Sequence, residues 1–241
     1  MSEDRIYASE NADGGAFEFN EAVAAVFPDM LKRSIPGYAA SIAAIGTIAR
    51  QFVTEESRCY DLGCSLGAAT LAMRQSISGR DCRILAIDNS SAMIRRCRKI
   101  INDDESLIPV DVIAGDVREM KIENASMVVM NYTMQFLPVD DRDQIVEKIF
   151  SGMNKGGVFV LSEKVVEQDP VVEKMLVDLH HEQKKRNAYS DSEISRKRAA
   201  IENVLIPESL ATHKTRILKS GFSHVGVWLR FFNFVSMVAI K

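Results

Sequence analysis

From residue 58 onward the chain alternates between two hydrophobic periods. Short apolar runs at RCYDLG (58–63), CRILAID (82–88), PVDVIAGD (109–116) and ASMVVMN (125–131) recur along the chain. Between them lie LGAATLAMRQSI, SAMIRRCRKIIND and DRDQIVEKIFSGMN, whose apolar residues return at helical spacing. Strands that are apolar on both faces need cover on both, and helices that carry the chain back between strands supply it. The pattern therefore predicts an α/β fold with a mostly parallel sheet, GGVFVLSEK (156–164) being the fifth strand. The closing FSHVGVWLRFFNFVSMVAIK predicts two more strands joined tightly near Arg230–Asn233. The sheet then has seven strands and ends in an antiparallel pair.

Extra helices flank this frame. Asn20 is placed to cap a helix beginning EAVAAVF, with Phe19 as its hydrophobic staple. Pro28 is expected to kink or interrupt that helix. A mostly apolar helix at about 37–52 is expected to pack on the core. A charged helical region at about 165–204 reads as an insertion, and PESLATHKTRILKSG as a further helix with Gly221 at its end. Residues 1–19 are predicted to form a flexible arm, and 20–241 a single α/β domain.

Composition narrows the classes of function. The chain has 241 residues, 46% hydrophobic and 26% charged, with a formal net charge of −3. That balance argues against a globally basic nucleic-acid binder. No apolar run approaches the roughly 20 residues that span a bilayer, and the N-terminus lacks an apolar signal core, so a cytoplasmic location is expected. Cys59, Cys64, Cys82 and Cys97 form no C-x-x-C pair; they are expected to be buried reduced thiols, with no metal site.

Candidate chemistry gathers where strands end. In an open parallel sheet, ligands bind beyond the carboxyl ends of the strands. The stretch YDLGCSLGAAT (60–70) places Gly63 through Gly67 there. Gly63 permits a tight turn and Gly67 a close helix. Ser65 stands where a dinucleotide loop would have a second glycine. Crowding at that point disfavours a pyrophosphate and tolerates a nucleoside without phosphate, such as S-adenosyl-L-methionine. Asp88, followed by Asn89, ends the second strand and suits the two ribose hydroxyls. Asp116 and Val117 end the third, where a carboxylate and an N–H suit an adenine edge. Asn131 ends the fourth, beside the expected reacting group.

The stretches VFPDMLKRSIPGY, YDLGCSLGAAT, AIDNSSAMI, ENASMVVMNYTMQFL, SEISRKRAAIENV and FNFVSMVAIK resemble the carboxy-S-adenosyl-L-methionine synthase family. This family lies within the Rossmann-like class I methyltransferase fold. The likeness runs over nearly the whole chain after the arm. It implies carboxyl transfer from prephenate to S-adenosyl-L-methionine, giving carboxy-S-adenosyl-L-methionine and phenylpyruvate. It further implies a homodimer, and a downstream tRNA-modifying carboxymethyltransferase that acts on wobble uridine. By resemblance, ligand contacts fall on Tyr38, Gly63, Cys64, Ser65, Asp88, Asn89, Asp116, Val117 and Asn131. The resemblance also implies that Arg198 holds the new carboxylate, reaching in from the other subunit. The main rival is an ordinary methyltransferase with the same pocket, which has no need of a cation beside the methyl.

Other residues carry weaker signals. No His–carboxylate pair stands out as a base. Adjacent His180 and His181 point different ways on a helix, so a surface or interface role is expected rather than a shared metal. Cys64 has no histidine near it in sequence and is not expected to be a nucleophile. HEQKKRNAYSDSEISRKR carries six basic and three acidic residues. Small-anion attraction or a dimer contact is favoured there over direct tRNA binding, because a single aromatic residue, Tyr189, is no interleaved stacking platform.

Overall fold

The computed structural model describes residues 3–8, 16–77 and 79–241. Two helices come first, α1 (Glu21–Ser34) and α2 (Tyr38–Phe52). Then follow β1 (Ser57–Leu62), α3 (Ala68–Ser76), β2 (Cys82–Asp88), α4 (Ser91–Asp103), β3 (Val110–Ala114) and β4 (Ala125–Asn131). The second half holds α5 (Arg142–Gly152), β5 (Met153–Val166), α6 (Pro170–Arg186), α7 (Asp191–Ile201), β6 (Glu208–Ser209), α8 (Leu210–Lys219), β7 (His224–Phe231) and β8 (Phe234–Ile240).

The main sheet runs β3-β2-β1-β4-β5-β8-β7, with the two-residue β6 pairing beside β5. Strands β1 to β5 are mutually parallel, and β8 is antiparallel to both β5 and β7. This is the predicted seven-stranded sheet with its terminal antiparallel pair. The chain crosses from β3 back to β4 beside β1, so the order reverses there and opens a crevice at the carboxyl ends.

Alternation along buried strands builds both layers. In β4, Val128 and Met130 face a cluster with Ile145, Val146 and Ile149 of α5 and Ile217 of α8. Met127 and Val129 face the opposite cluster, with Ile45 and Ala49 of α2 and Met73 of α3. Gly46 lets α2 sit on the Ala72 carbonyl of α3, where an added Cβ would lie 2.8 Å from that oxygen. All four cysteines are buried free thiols. Among the described residues, no helix is long and apolar enough to cross a membrane.

Three expectations need correction. Pro28 does not interrupt α1, which runs through it for 14 residues. Proline removes one N–H from the ladder, and the buried Val23, Ala24, Phe27 and Met30 hold the turns on either side. The charged region is shorter than expected, because β5 continues to Val166 before α6 begins.

The arm is not loose where it is described. Asp4 is 1% exposed; its carboxylate accepts from the Tyr189 hydroxyl at 2.5 Å and lies 3.7 Å from Lys197 Nζ. Its carbonyl accepts from Arg33, and its N–H donates to Asp29. Phe17 is buried, and its N–H donates to the Ala200 carbonyl of α7 at 2.9 Å. A buried carboxylate must be paired, and these partners fix the arm to α1 and α7. Residues 1, 2 and 9–15 of the expected arm lie outside the described residues.

Candidate active site

The first loop is built on strained backbone. Gly63 and Gly67 both have φ of +83°, and Ser65 has φ of +49°. Only glycine takes that region freely, so Ser65 needs an anchor. Its N–H donates to Asp88 Oδ2 at 2.9 Å, while Asp88 Oδ1 accepts from the Ser90 N–H at 2.8 Å. Helix α4 takes its cap from Ser90 itself, whose hydroxyl accepts from Met93 N–H. A Cβ on Gly63 would run into the Thr133 side chain. Asp61, 1% exposed, lies beneath the loop and accepts from the Thr70 hydroxyl at 2.6 Å. Burial pushes its carboxyl up to about 6.

These groups open onto a cavity of about 610 Å³, within the range of a small-molecule site. All ten sequence-predicted residues line it: Tyr38, Gly63, Cys64, Ser65, Asp88, Asn89, Asp116, Val117, Asn131 and Arg198. They come from six places in the chain: the start of α2, the loop after β1, the ends of β2, β3 and β4, and α7. Asp88 is mostly buried, and burial pushes its carboxyl upward. Asp116 is paired through both oxygens with Arg118, which holds it below the usual carboxylate range. Cys64 presents only its loop backbone to ligand chemistry. Its thiol packs with Cys97 and Ile94 and is held well above the ordinary range by Cys97 and by burial. Arg198 lines the cavity of its own chain yet is exposed, so it stands at the mouth. A second subunit is not required to bring Arg198 to the cavity.

Asn131 provides a test of fit. Its Oδ1 is buried and has no hydrogen-bond partner among the described residues. Such an acceptor costs free energy unless something donates to it. An ammonium or hydroxyl of a bound nucleoside amino acid would supply that donor. The crowded Ser65 turn fits the same phosphate-free ligand.

Several lining residues were missed by the sequence reading. Tyr132 follows β4 with φ of +61°, its ring edge-on to Phe234. Lys164 closes the predicted strand GGVFVLSEK, two residues short of the end of β5, so reading polar residues near strand ends also points to it. His180, expected at a surface or interface, is instead 6% exposed, with Nε2 2.8 Å from the Ser34 carbonyl oxygen and its ring against Phe234. Burial holds it neutral, with its pKa down to about 3. The fold turns that face of α6 inward, which helical periodicity in so charged a segment did not reveal. His181, Lys184 and Lys197 line the same wall. Among the described residues, no group of three or more His, Cys, Asp or Glu is gathered to hold a metal.

A buried ion network supports the floor. Arg142, fully buried, pairs with Glu208 at 2.6 Å and donates to the carbonyls of Gln135, Leu137 and Ile206. Glu163 accepts from the Met134 and Gln135 N–H groups at 3.0 and 2.9 Å. Burial pushes Glu163 up to about 8, against Arg142 and those two amides. Together they pin the segment after β4 under the cavity.

Known proteins share this fold. Residues 60–157 match the family described as Methyltransferase domain. A putative S-adenosyl-L-methionine-dependent methyltransferase from Methanococcus maripaludis is similar in fold, with a TM-score of 0.60, 20% identity, and 97% and 96% of the two chains covered. Human N-acetylserotonin methyltransferase, solved in complex with SAM, superposes with a TM-score of 0.61 at 13% identity, covering 98% of this chain and 57% of that one. In sequence the likeness is far stronger. Carboxy-S-adenosyl-L-methionine synthases of Shewanella sediminis and Shewanella oneidensis are 51% and 50% identical over 240 residues, covering 100% of this chain and 99% of theirs. With that identity sustained from end to end, the chain belongs to the carboxy-S-adenosyl-L-methionine synthase family.

Proposed function

We propose that this chain converts S-adenosyl-L-methionine and prephenate to carboxy-S-adenosyl-L-methionine and phenylpyruvate. The carrying observation is that Arg198 lines the same cavity as the strand-end groups Asp88, Asp116 and Asn131. A plain methyl donor site has no use for that cation. A site that must hold a new carboxylate beside the sulfonium does, and a guanidinium fork suits it.

Each residue has a role in this reading. Asp88, with one backbone N–H on each oxygen, keeps lone pairs for the ribose hydroxyls. Asp116 and the Val117 N–H take the adenine edge, and Asn131 Oδ1 takes the amino group. Tyr38, Tyr132 and Phe136 surround the reacting end and exclude water. Loss of carboxylate and hydroxide aromatises the donor; the hydroxide takes a proton from the sulfonium methyl, and that carbon bonds to the carbon dioxide released. Water and phenylpyruvate leave, so no protein base is needed.

The product then serves a tRNA-modifying carboxymethyltransferase at wobble uridine. A homodimer is part of the same proposal. Val171, Met175 and Leu179 form an exposed apolar stripe on α6, and a second copy of the chain there would also shelter the mouth where Arg198 stands. The test is turnover: purified protein given S-adenosyl-L-methionine and prephenate is expected to release phenylpyruvate and a carboxylated nucleoside in equal amounts. Methyl transfer to an added acceptor, with neither product formed, would replace this reading with a methyltransferase.

A further inference from the structure

One side of the cavity, from its wall out to its mouth, carries more positive charge than the reaction so far uses. Lys164 comes from near the end of β5, two residues before Val166, Lys184 from α6, and Lys197 and Arg198 from α7. Lys197 is already engaged, with Nζ 3.1 Å from Ser34 Oγ and 3.7 Å from Asp4. Lys164 and Lys184 have no carboxylate within ion-pair distance among the described residues, although neither is fully exposed. They lie within electrostatic reach of each other, and Lys164 also of Arg198. The acid that reaches Lys164 is Glu173, whose own Oε2 accepts from the Glu167 N–H, and the acid that reaches Lys184 is Asp4, already engaged by Tyr189 and Lys197. Four basic side chains thus face two acidic ones.

Packing unpaired ammonium groups together in a partly closed cavity is unfavourable, and an anionic ligand relieves it. Burial and the neighbouring cations lower both lysines, Lys184 to about 7. Arg198 is committed to the carboxyl group that moves. A donor that gives up one carboxylate and keeps another needs a second place to hold the one it keeps.

We propose that Lys164 and Lys184 form a second anion subsite, which binds the retained carboxylate of a dicarboxylate donor and sets specificity for dianions. This rests on the function proposed above and adds the residues that select the donor. The two lysines stand on β5 and α6, while Arg198 stands on α7. The donor is therefore gripped at both ends from three separate elements, which fixes the departing carboxyl group toward the sulfonium.

The test uses the whole protein with Lys164→Gln, Lys184→Gln and Lys184→Arg. Calorimetry measures prephenate binding to protein saturated with S-adenosyl-L-methionine, and steady-state assays measure KM for prephenate. Each glutamine variant is expected to weaken prephenate binding and raise KM by about tenfold or more, the effect of one charge-assisted contact. S-adenosyl-L-methionine affinity should stay within about twofold, and Lys184→Arg should recover part of the loss. Melting curves identify any variant that fails to fold, and the other lysine then carries the test. Unchanged prephenate affinity in folded variants overturns the subsite, as does wild-type protein that binds no prephenate. Prephenate binding that is lost in the variants but never yields carboxylated product keeps the subsite and removes the proposed function.

Discussion

The Ser65 main-chain N–H donates to Asp88 Oδ2 at 2.9 Å, tying the strained turn after β1 to the end of β2. The contact holds a non-glycine residue at positive φ and orients the carboxylate into the cavity. Asp88→Ala removes both the anchor and the acceptor. S-adenosyl-L-methionine binding is expected to weaken by at least about tenfold, since charge-assisted bonds contribute roughly 1.5–3 kcal/mol each. Calorimetry reads this directly, and an unchanged Kd would detach Asp88 from the ligand.

Gly63 is a sharper probe of the same turn. Its φ of +83° strains any side chain, and a Cβ would push into Thr133. Gly63→Ala is expected to cost about 1–3 kcal/mol in S-adenosyl-L-methionine affinity, with far-ultraviolet circular dichroism little changed. Parent-like affinity would show that the turn does not meet the ligand.

Arg142 bears on stability. Its guanidinium satisfies Glu208 and three backbone carbonyls with no exposure to water. Arg142→Ala leaves those acceptors buried and unpaired and should cost about 3–5 kcal/mol in urea denaturation. Arg142→Lys should recover little, because a single ammonium cannot replace the fork.

Acid lability should trace in part to His213. It is 1% exposed, and burial, with Arg216 beside it, lowers its pKa from 6.5 to about 4. Between those values the unfolded chain holds the proton and the folded chain does not, so acidification favours unfolding. The contribution is intact above pH 6.5, falls as pH drops toward 4, and totals about 3 kcal/mol at 1.36 kcal/mol per unit. His213→Gln should flatten the melting temperature over that window. An unaltered acid limb would assign it to other groups.

The frame of the site was legible because it follows from period and strand ends. Alternating apolar strands and helices predicted the sheet, and the polar residues at or just past the strand ends pointed to Asp88, Asp116 and Asn131. The rest depended on which way helices face. Nothing in HHEQKKR (180–186) distinguishes the inward His180 and Lys184 from the exposed Glu182 and Arg186; the packing of α6 against Phe234 and Ser34 decides it. The arm misled for the same reason. A polar N-terminus reads as solvated until Tyr189, Lys197 and Arg33 surround Asp4.

The central claim concerns where a carbon atom goes, and isotope tracing follows it. Wild-type protein is incubated with S-adenosyl-L-methionine and prephenate bearing carbon-13 in the carboxyl group attached to its ring, and the nucleoside is weighed. The account predicts a nucleoside heavier by one labelled carbon dioxide, with phenylpyruvate unlabelled, and predicts that Arg198→Ala loses the heavy nucleoside while still binding S-adenosyl-L-methionine. A nucleoside of unchanged mass, with the label retained in the donor or released as free carbon dioxide, would contradict it.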